Sequence, residues 1–201
     1  MSKGQTTVRY AEIDRETSET RVNLVLDLDA GSRQDIRTGI GFFDHMLTQL
    51  AFHGHLNLGV AADGDLGVDD HHTVEDVGIV FGKALRQALL ESDPIVRYAS
   101  NHTPMDEALV LVAIDISGRG QCHFEADFKR DRIGSMSTEA IREFFTGFAV
   151  HGGLTIHVHR VAGLNDHHVC EAIFKGFGRA LFDATRCTDR HGAPTTKGRF
   201  D

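Results

Sequence analysis

The chain has 201 residues, 41% of them hydrophobic, with a formal net charge of −8 at neutral pH and a sequence pI near 5.9. That length suffices for one sizeable core or two small fused units. The acidic balance, with no basic run to reverse it, argues against a nucleic-acid partner, and no apolar run approaches the roughly 20 residues that a membrane helix needs. The three cysteines, Cys122, Cys170 and Cys187, show no Cys-x-x-Cys spacing and read as the reduced thiols of a cytoplasmic protein.

Taken in order, Val8 to Ile13 and Arg21 to Asp29 are expected strands, the second alternating Val22, Leu24, Leu26 and Leu28 with polar partners. Glu19 falls between them, and periodicity alone makes it an exposed turn carboxylate. Phe42 to His53 carries apolar residues at helical spacing, with His45, Gln49 and His53 on one stripe. Leu56 to Ala62 reads as a strand, and a Gly-Asp-rich turn leads into a helical run, Val77 to Leu90.

The second half repeats this order. Arg97 to Asn101, Ala108 to Ile116 and Gln121 to Phe128 are strand-like. Thr138 to His151 is a helix with Ile141, Phe144, Phe145 and Phe148 inward. Leu154 to Val161 is a strand, and Ala172 to Thr185 a helix. Pro94 marks the join. The chain therefore reads as one domain, 1–201, made of two pseudo-symmetric halves, about 1–93 and 94–201. The expected fold is α+β, an internally duplicated strand-helix-strand-helix unit with the helices between two mainly antiparallel sheets.

Each final helix of a half opens on the same motif. Asp69-Asp70-His71-His72-Thr73-Val74-Glu75-Asp76 returns as Asn165-Asp166-His167-His168-Val169-Cys170-Glu171. Helix residues four apart share a face, whereas adjacent residues diverge by about 100°. His71 therefore pairs with Glu75 and His167 with Glu171, while His72 and His168 point elsewhere. One copy alone reads about equally well as the polar start of a helix. Two copies, in a chain with 13 histidines, point to metal. The simplest crossed arrangement gives one metal His71, Glu75 and His168, and the other His167, Glu171 and His72. Imidazole and carboxylate without thiolate pairs suit manganese or iron better than structural zinc. Past the last helix, Thr195, Thr196 and Lys197 offer two hydroxyls and an ammonium to an anion such as phosphate.

A resemblance rests on residues spread over nearly the whole chain, in order: Thr38-Gly39-Ile40-Gly41-Phe42-Phe43-Asp44-His45-Met46-Leu47, the Asp-His-His-Thr-Val-Glu-Asp block, Pro104-Met105-Asp106-Glu107-Ala108, Ser117-Gly118-Arg119, Asn165-Asp166-His167-His168, Phe174-Lys175 and Thr196-Lys197-Gly198. Together they resemble the imidazoleglycerol-phosphate dehydratases of histidine biosynthesis. The resemblance implies a fold like the second domain of ribosomal protein S5, two Mn2+ per active site, and a homo-24-mer built from trimers with sites between subunits. It also implies a phosphorylated imidazole substrate, D-erythro-imidazole glycerol phosphate, converted to imidazole acetol phosphate and water. By position, one metal takes His45, His72, His167 and Glu171, and the other His71, Glu75 and His168.

Glu143 stands where the family often has a fourth histidine ligand to the second metal. A carboxylate can ligate manganese there, with His151 or water as the alternatives. Arg97, Arg119, Lys175, Thr195, Thr196 and Lys197 are implied to bind substrate, mainly its phosphate, with Gln49 and His53 beside His45 completing the set. The resemblance makes Glu19 the candidate acid/base, with metal-bound water or a neighbouring histidine as the other candidates for moving the protons. Two other classes compete: a binuclear metal-dependent phosphate-ester hydrolase, told apart by hydrolysis of simple phosphate esters, and a metal-storing cage, told apart by metal well above two ions per chain.

Overall fold

The structure, a computed structural model, describes residues 8–188. Its first half runs β1 (Tyr10–Glu16), β2 (Thr20–Asp27), β3 (Gln34–Arg37), α1 (Gly41–His53), β4 (Asn57–Gly64) and α2 (His71–Leu89). The second half runs β5 (Tyr98–Met105), β6 (Ala108–Asp115), β7 (Gln121–Glu125), a short β8–β9 hairpin (Arg132–Ile133 and Met136–Ser137), α3 (Thr138–Gly152), β10 (Thr155–Ala162) and α4 (Asp166–Thr185). The sheet orders are β1-β2-β4-β3 and β5-β6-β10-β7, the same path traced twice. In each sheet the third strand of the half joins its edge in parallel while the other pairings are antiparallel.

The expected elements form within a few residues of their anticipated ends, and the repeated motif does open α2 and α4. β3 and the β8–β9 hairpin were not anticipated. Gln34–Arg37 holds only Ile36 as an apolar residue, so its strand state comes from pairing with β4 and not from a sequence period.

Period-2 patterning drives the sheets. β2 and β6 bury every second residue, Val22, Leu24 and Leu26 in one and Val110, Val112 and Ile114 in the other. These faces close on the four helices, which lie between the sheets and share one continuous apolar cluster. Phe144, Phe145, Phe148, Phe174 and Phe177, all fully buried, interlock with ring centroids 5.0–6.2 Å apart at its centre.

The helices pair across the halves, α1 with α4 and α2 with α3, and glycine allows the close crossing. A Cβ on Gly178 would sit 2.3 Å from the Leu50 carbonyl oxygen, and one on Gly82 would sit 2.5 Å from that of Phe148. No side chain fits at either place. The two crossings are related by the same pseudo-twofold as the sheets. They run α1 and α4 in parallel, so that the first turns of both helices lie side by side.

No described helix is long and apolar enough to cross a membrane, and Cys122, Cys170 and Cys187 are free.

Candidate metal centre

The start of α4 is set by its own sequence. The Asn165 side chain accepts the His167 N–H, as Asp69 Oδ1 accepts the His71 N–H at 2.9 Å at the start of α2. The next residue of each motif, Asp70 or Asp166, is buried and braces the segment before α3. Asp70 accepts from the Ser137 amide and hydroxyl at 2.5 and 2.6 Å, and Asp166 from the Lys129 and Arg130 amides at 2.9 and 2.8 Å. Asp76 is buried against Arg15 and the Thr20 hydroxyl. These carboxylates therefore hold the helix ends in place, and the imidazoles beside them are aimed by that scaffold.

The α1–α4 crossing brings His45, His167 and Glu171 together, with one ligand atom of each within 4.8 Å of the others. His167 Nε2 lies 3.2 Å and His45 Nε2 3.6 Å from Glu171 Oε2, while Phe42 packs edge-on to the His167 ring. Both imidazoles face solvent, with side chains 43% and 44% exposed, and the Glu171 carboxylate is buried at 8%. Burial pushes that carboxyl up, but the hydrogen bond and charge of Lys175, with His45 and His167, hold it below its ordinary value. Lys175 Nζ sits 2.6 Å from Oε1, leaving Oε2 to the two imidazoles. Two imidazole nitrogens and a carboxylate oxygen converging on one point are a fitting donor set for manganese or a similar ion.

His72 and His168 do not join this cluster. His72 Nδ1 is 3.0 and 3.2 Å from the Asp65 carboxylate, and its Nε2 is 3.9 Å from Glu19 Oε1. His168 Nδ1 is 2.7 Å from Glu107 Oε2. The Asp65 carboxylate raises His72 above the ordinary histidine value, and that of Glu107 raises His168. Glu107 in turn is held at about 2 by His168 and by the Asn165 and Leu164 amides. Among the described residues, His45, His167 and Glu171 are the only group of three or more His, Cys, Asp or Glu side chains close enough to share an ion. A single chain therefore does not assemble the crossed sets, nor does it gather His71, Glu75 and Glu143 around one point.

Glu143 occupies on α3 the place that His45 occupies on α1. It lines a depression with Phe124, Phe128 and Arg142, and His151 turns its Nδ1 to the Gly147 carbonyl at 3.0 Å. Gln49 and His53 continue the α1 stripe. His53 is held below the ordinary histidine value by burial and by the nearby charges of Lys175 and Arg179. Arg97 pairs with Asp115 through Nε at 2.7 Å and Nη2 at 3.1 Å. Arg119 is exposed at the end of the Ser117 turn. Glu19 is an exposed residue at the end of the β1–β2 turn, as periodicity suggested, and its carbonyl accepts from the Asp65 amide at 3.1 Å. Thr195, Thr196 and Lys197 lie outside the described residues. Asp65 and Glu107 received no role from the sequence. The signal for Glu107 was available, since it immediately precedes β6 as Glu19 immediately precedes β2.

The chain is thus a duplicated α+β sandwich with imidazoles gathered at a shared helix edge. Two solved imidazoleglycerol-phosphate dehydratases share the fold. That of Staphylococcus aureus superposes with a TM-score of 0.81 at 39% identity, covering 89% of this chain and 99% of its own. That of Pyrococcus furiosus gives 0.82 at 36%, covering 92% and 99%. The family model for imidazoleglycerol-phosphate dehydratase matches residues 38–181. The Acetivibrio thermocellus enzyme of that name is 52% identical over 191 residues, 94% of this chain and 98% of the relative, and the Paracoccus denitrificans one is 51% identical over 193 residues, 95% and 99%. The chain belongs to the imidazoleglycerol-phosphate dehydratase family. It is accordingly a hydro-lyase of histidine biosynthesis.

Proposed function

We propose that the chain converts D-erythro-imidazole glycerol phosphate to imidazole acetol phosphate and water at a site holding two manganese ions, formed between copies in a 24-subunit assembly of trimers in the cytoplasm. The observation that carries this reading is the division of the ligands within one chain. His45, His167 and Glu171 converge, while His72 and His168 have their Nδ1 atoms occupied and stand apart. A second copy facing the first would let each chain's outlying imidazole complete the other's cluster. One metal is then held by His45, His72, His167 and Glu171, and the other by His71, Glu75, His168 and Glu143.

Bound manganese supplies positive charge next to the substrate's imidazole and favours its deprotonated form, from which the adjacent hydroxyl departs more readily. Glu19, 3.9 Å from His72 Nε2, stands at the edge of this site with its carboxylate in solvent and carries protons to and from the substrate carbons. Lys175 holds Glu171 ionised. Arg97, Arg119 and the Thr195-Thr196-Lys197 segment supply positive charge and hydroxyls for the phosphate.

The test is turnover by metal-stripped protein with and without manganese, alongside particle mass by light scattering and metal per chain. Activity returning with two ions per chain, in a particle of 24 subunits, is the expected result. Hydrolysis of simple phosphate esters in place of dehydration would favour the binuclear hydrolase.

A further inference from the structure

The hairpin Asp106-Glu107 between β5 and β6 is one part of the chain to which the dehydration just described gives no task. We infer that Glu107 is a positioning residue for His168, fixing the imidazole so that Nδ1 carries the proton and Nε2 presents its lone pair to metal. This rests on the reading of His168 as a ligand.

The geometry of one carboxylate carries the inference. Glu107 Oε1 accepts the backbone N–H groups of Leu164 and Asn165 at 2.9 and 2.7 Å, which ties the hairpin to the start of α4 and fixes the plane of the carboxylate. Its other oxygen, Oε2, is left 2.7 Å from His168 Nδ1. An ionised carboxylate only accepts hydrogen bonds. Nδ1 must therefore donate, and in the neutral ring Nε2 is then the acceptor, the role it also takes toward Asn165 Nδ2 at 3.4 Å. A ligating imidazole that gives its second N–H to a carboxylate is thereby locked in orientation and made a stronger donor.

The other half repeats the device with a different residue. His72 Nδ1 is gripped by both oxygens of Asp65, at 3.0 and 3.2 Å. Asp65 comes from the turn before α2, whereas Glu107 comes from a hairpin, so the match is one of chemistry and not of copied sequence. His45 and His167, which converge on Glu171 through Nε2, make no Nδ1 hydrogen bond to a carboxylate among the described residues. The gripped imidazoles are the two that stand away from the cluster their own chain assembles. In each of them the closest polar contact is the carboxylate on Nδ1, while Nε2 has looser neighbours: Asn165 Nδ2 at 3.4 Å and Asp106 Oδ2 at 3.6 Å for His168, and Glu19 Oε1 at 3.9 Å for His72.

Glu107→Gln separates this role from simple bracing. The two backbone donors keep the amide oxygen on their side, so the hairpin stays tied to α4. The NH2 group then faces His168 and favours the opposite tautomer, with the proton on Nε2. The experiment uses the assembled full-length protein, metal-stripped and then titrated with manganese, and follows histidine tautomers by solid-state 15N NMR with His168→Asn to assign the signal. We expect His168 to change from Nδ1–H to Nε2–H, and manganese affinity to fall about 10–100-fold, with the unfolding midpoint of the metal-free protein unchanged. An unchanged tautomer, or affinity within about twofold of the parent, overturns the inference; the ligand assignment still stands if His168→Asn by itself weakens binding. A His168→Asn chain that binds manganese as the parent does overturns both.

Discussion

Lys175 places its ammonium 2.6 Å from Glu171 Oε1, one turn along α4, and so the one buried carboxylate of the three-residue cluster is neutralised from behind. Burial opposes ionisation of Glu171, and the lysine together with His45 and His167 more than offsets it. Metal binding requires the carboxylate form. Lys175→Met should therefore move the pH midpoint of manganese binding upward, measured by titration at a series of pH values. A midpoint at the parent's value would assign Lys175 to substrate alone.

The α1–α4 crossing sets the distance between His45 and Glu171, and Gly178 sets the crossing. A methyl at Gly178 would lie 2.3 Å from the Leu50 carbonyl oxygen, backbone that cannot swing aside. Gly178→Ala should cost about 1–3 kcal/mol or more of stability by overpacking, and should also weaken manganese binding at the His45 cluster. Gly82→Ala overpacks the sister crossing against Phe148. A comparable loss of stability with the His45 cluster's affinity retained is expected there. Chemical denaturation and metal titration of both variants check the pair.

Glu19 lies 3.9 Å from His72 Nε2 with its side chain 52% exposed, and the proposed function makes it the group that moves protons to and from the substrate. Glu19→Gln removes the proton-carrying group while leaving shape and size. Turnover is expected to fall about 10²–10⁴-fold with manganese content and particle mass unchanged. Turnover at the parent's rate would take Glu19 out of the reaction.

Much of this was legible because the fold is written twice. Alternation in Val22-Leu24-Leu26 and the helical spacing of Phe144, Phe145 and Phe148 report burial directly. The repeated His-His-x-x-Glu points to a site because helix geometry alone separates its two imidazoles, and the α4 copy does bring His167 and Glu171 to His45. Tertiary pairing was harder to read. β3 is a strand only because β4 is beside it. The glycines at the two helix crossings carry no periodic signal, and the choice of α4 as the partner of α1 is made by close backbone approach. Asp65 and Glu107 were passed over for a similar reason. A carboxylate in a turn looks solvated until the fold delivers an imidazole to it, 2.7 Å away in the case of Glu107.

Arg9 offers a pH-dependent stability test away from the site. Its guanidinium joins Asp29 to the Thr185 carbonyl at the end of α4. The hydrogen bond from Arg9 holds the Asp29 carboxyl below its ordinary value despite partial burial. A carboxyl depressed in the folded state contributes stability that is fully present above its unfolded value, about pH 4, and is lost as pH falls through the folded one. Asp29→Asn should therefore be less stable than the parent near about pH 7, and the gap should narrow below about pH 4. Denaturant unfolding at both pH values reads the difference; a gap independent of pH would mean that the contact matters for packing and not for charge.

Arg97 adopts φ of +85°, a region that costs a side-chain-bearing residue about 1 kcal/mol or more. Its backbone is pinned there, its N–H donating to the Ala184 carbonyl at 2.8 Å and its carbonyl accepting from the Ile116 amide at 3.0 Å. Asp115 holds the guanidinium through two nitrogens. The strain is retained at a position implied to bind phosphate, where a rigidly aimed guanidinium is worth more than a relaxed one. Arg97→Gly should be more stable than Arg97→Ala by about 1 kcal/mol, since glycine takes positive φ freely. Both should raise KM for the substrate more than they lower kcat. Denaturation midpoints and steady-state kinetics of the two variants test this together. If KM stayed at the parent's value in both, the strained backbone and the Asp115 pair would serve the β5–α4 junction alone.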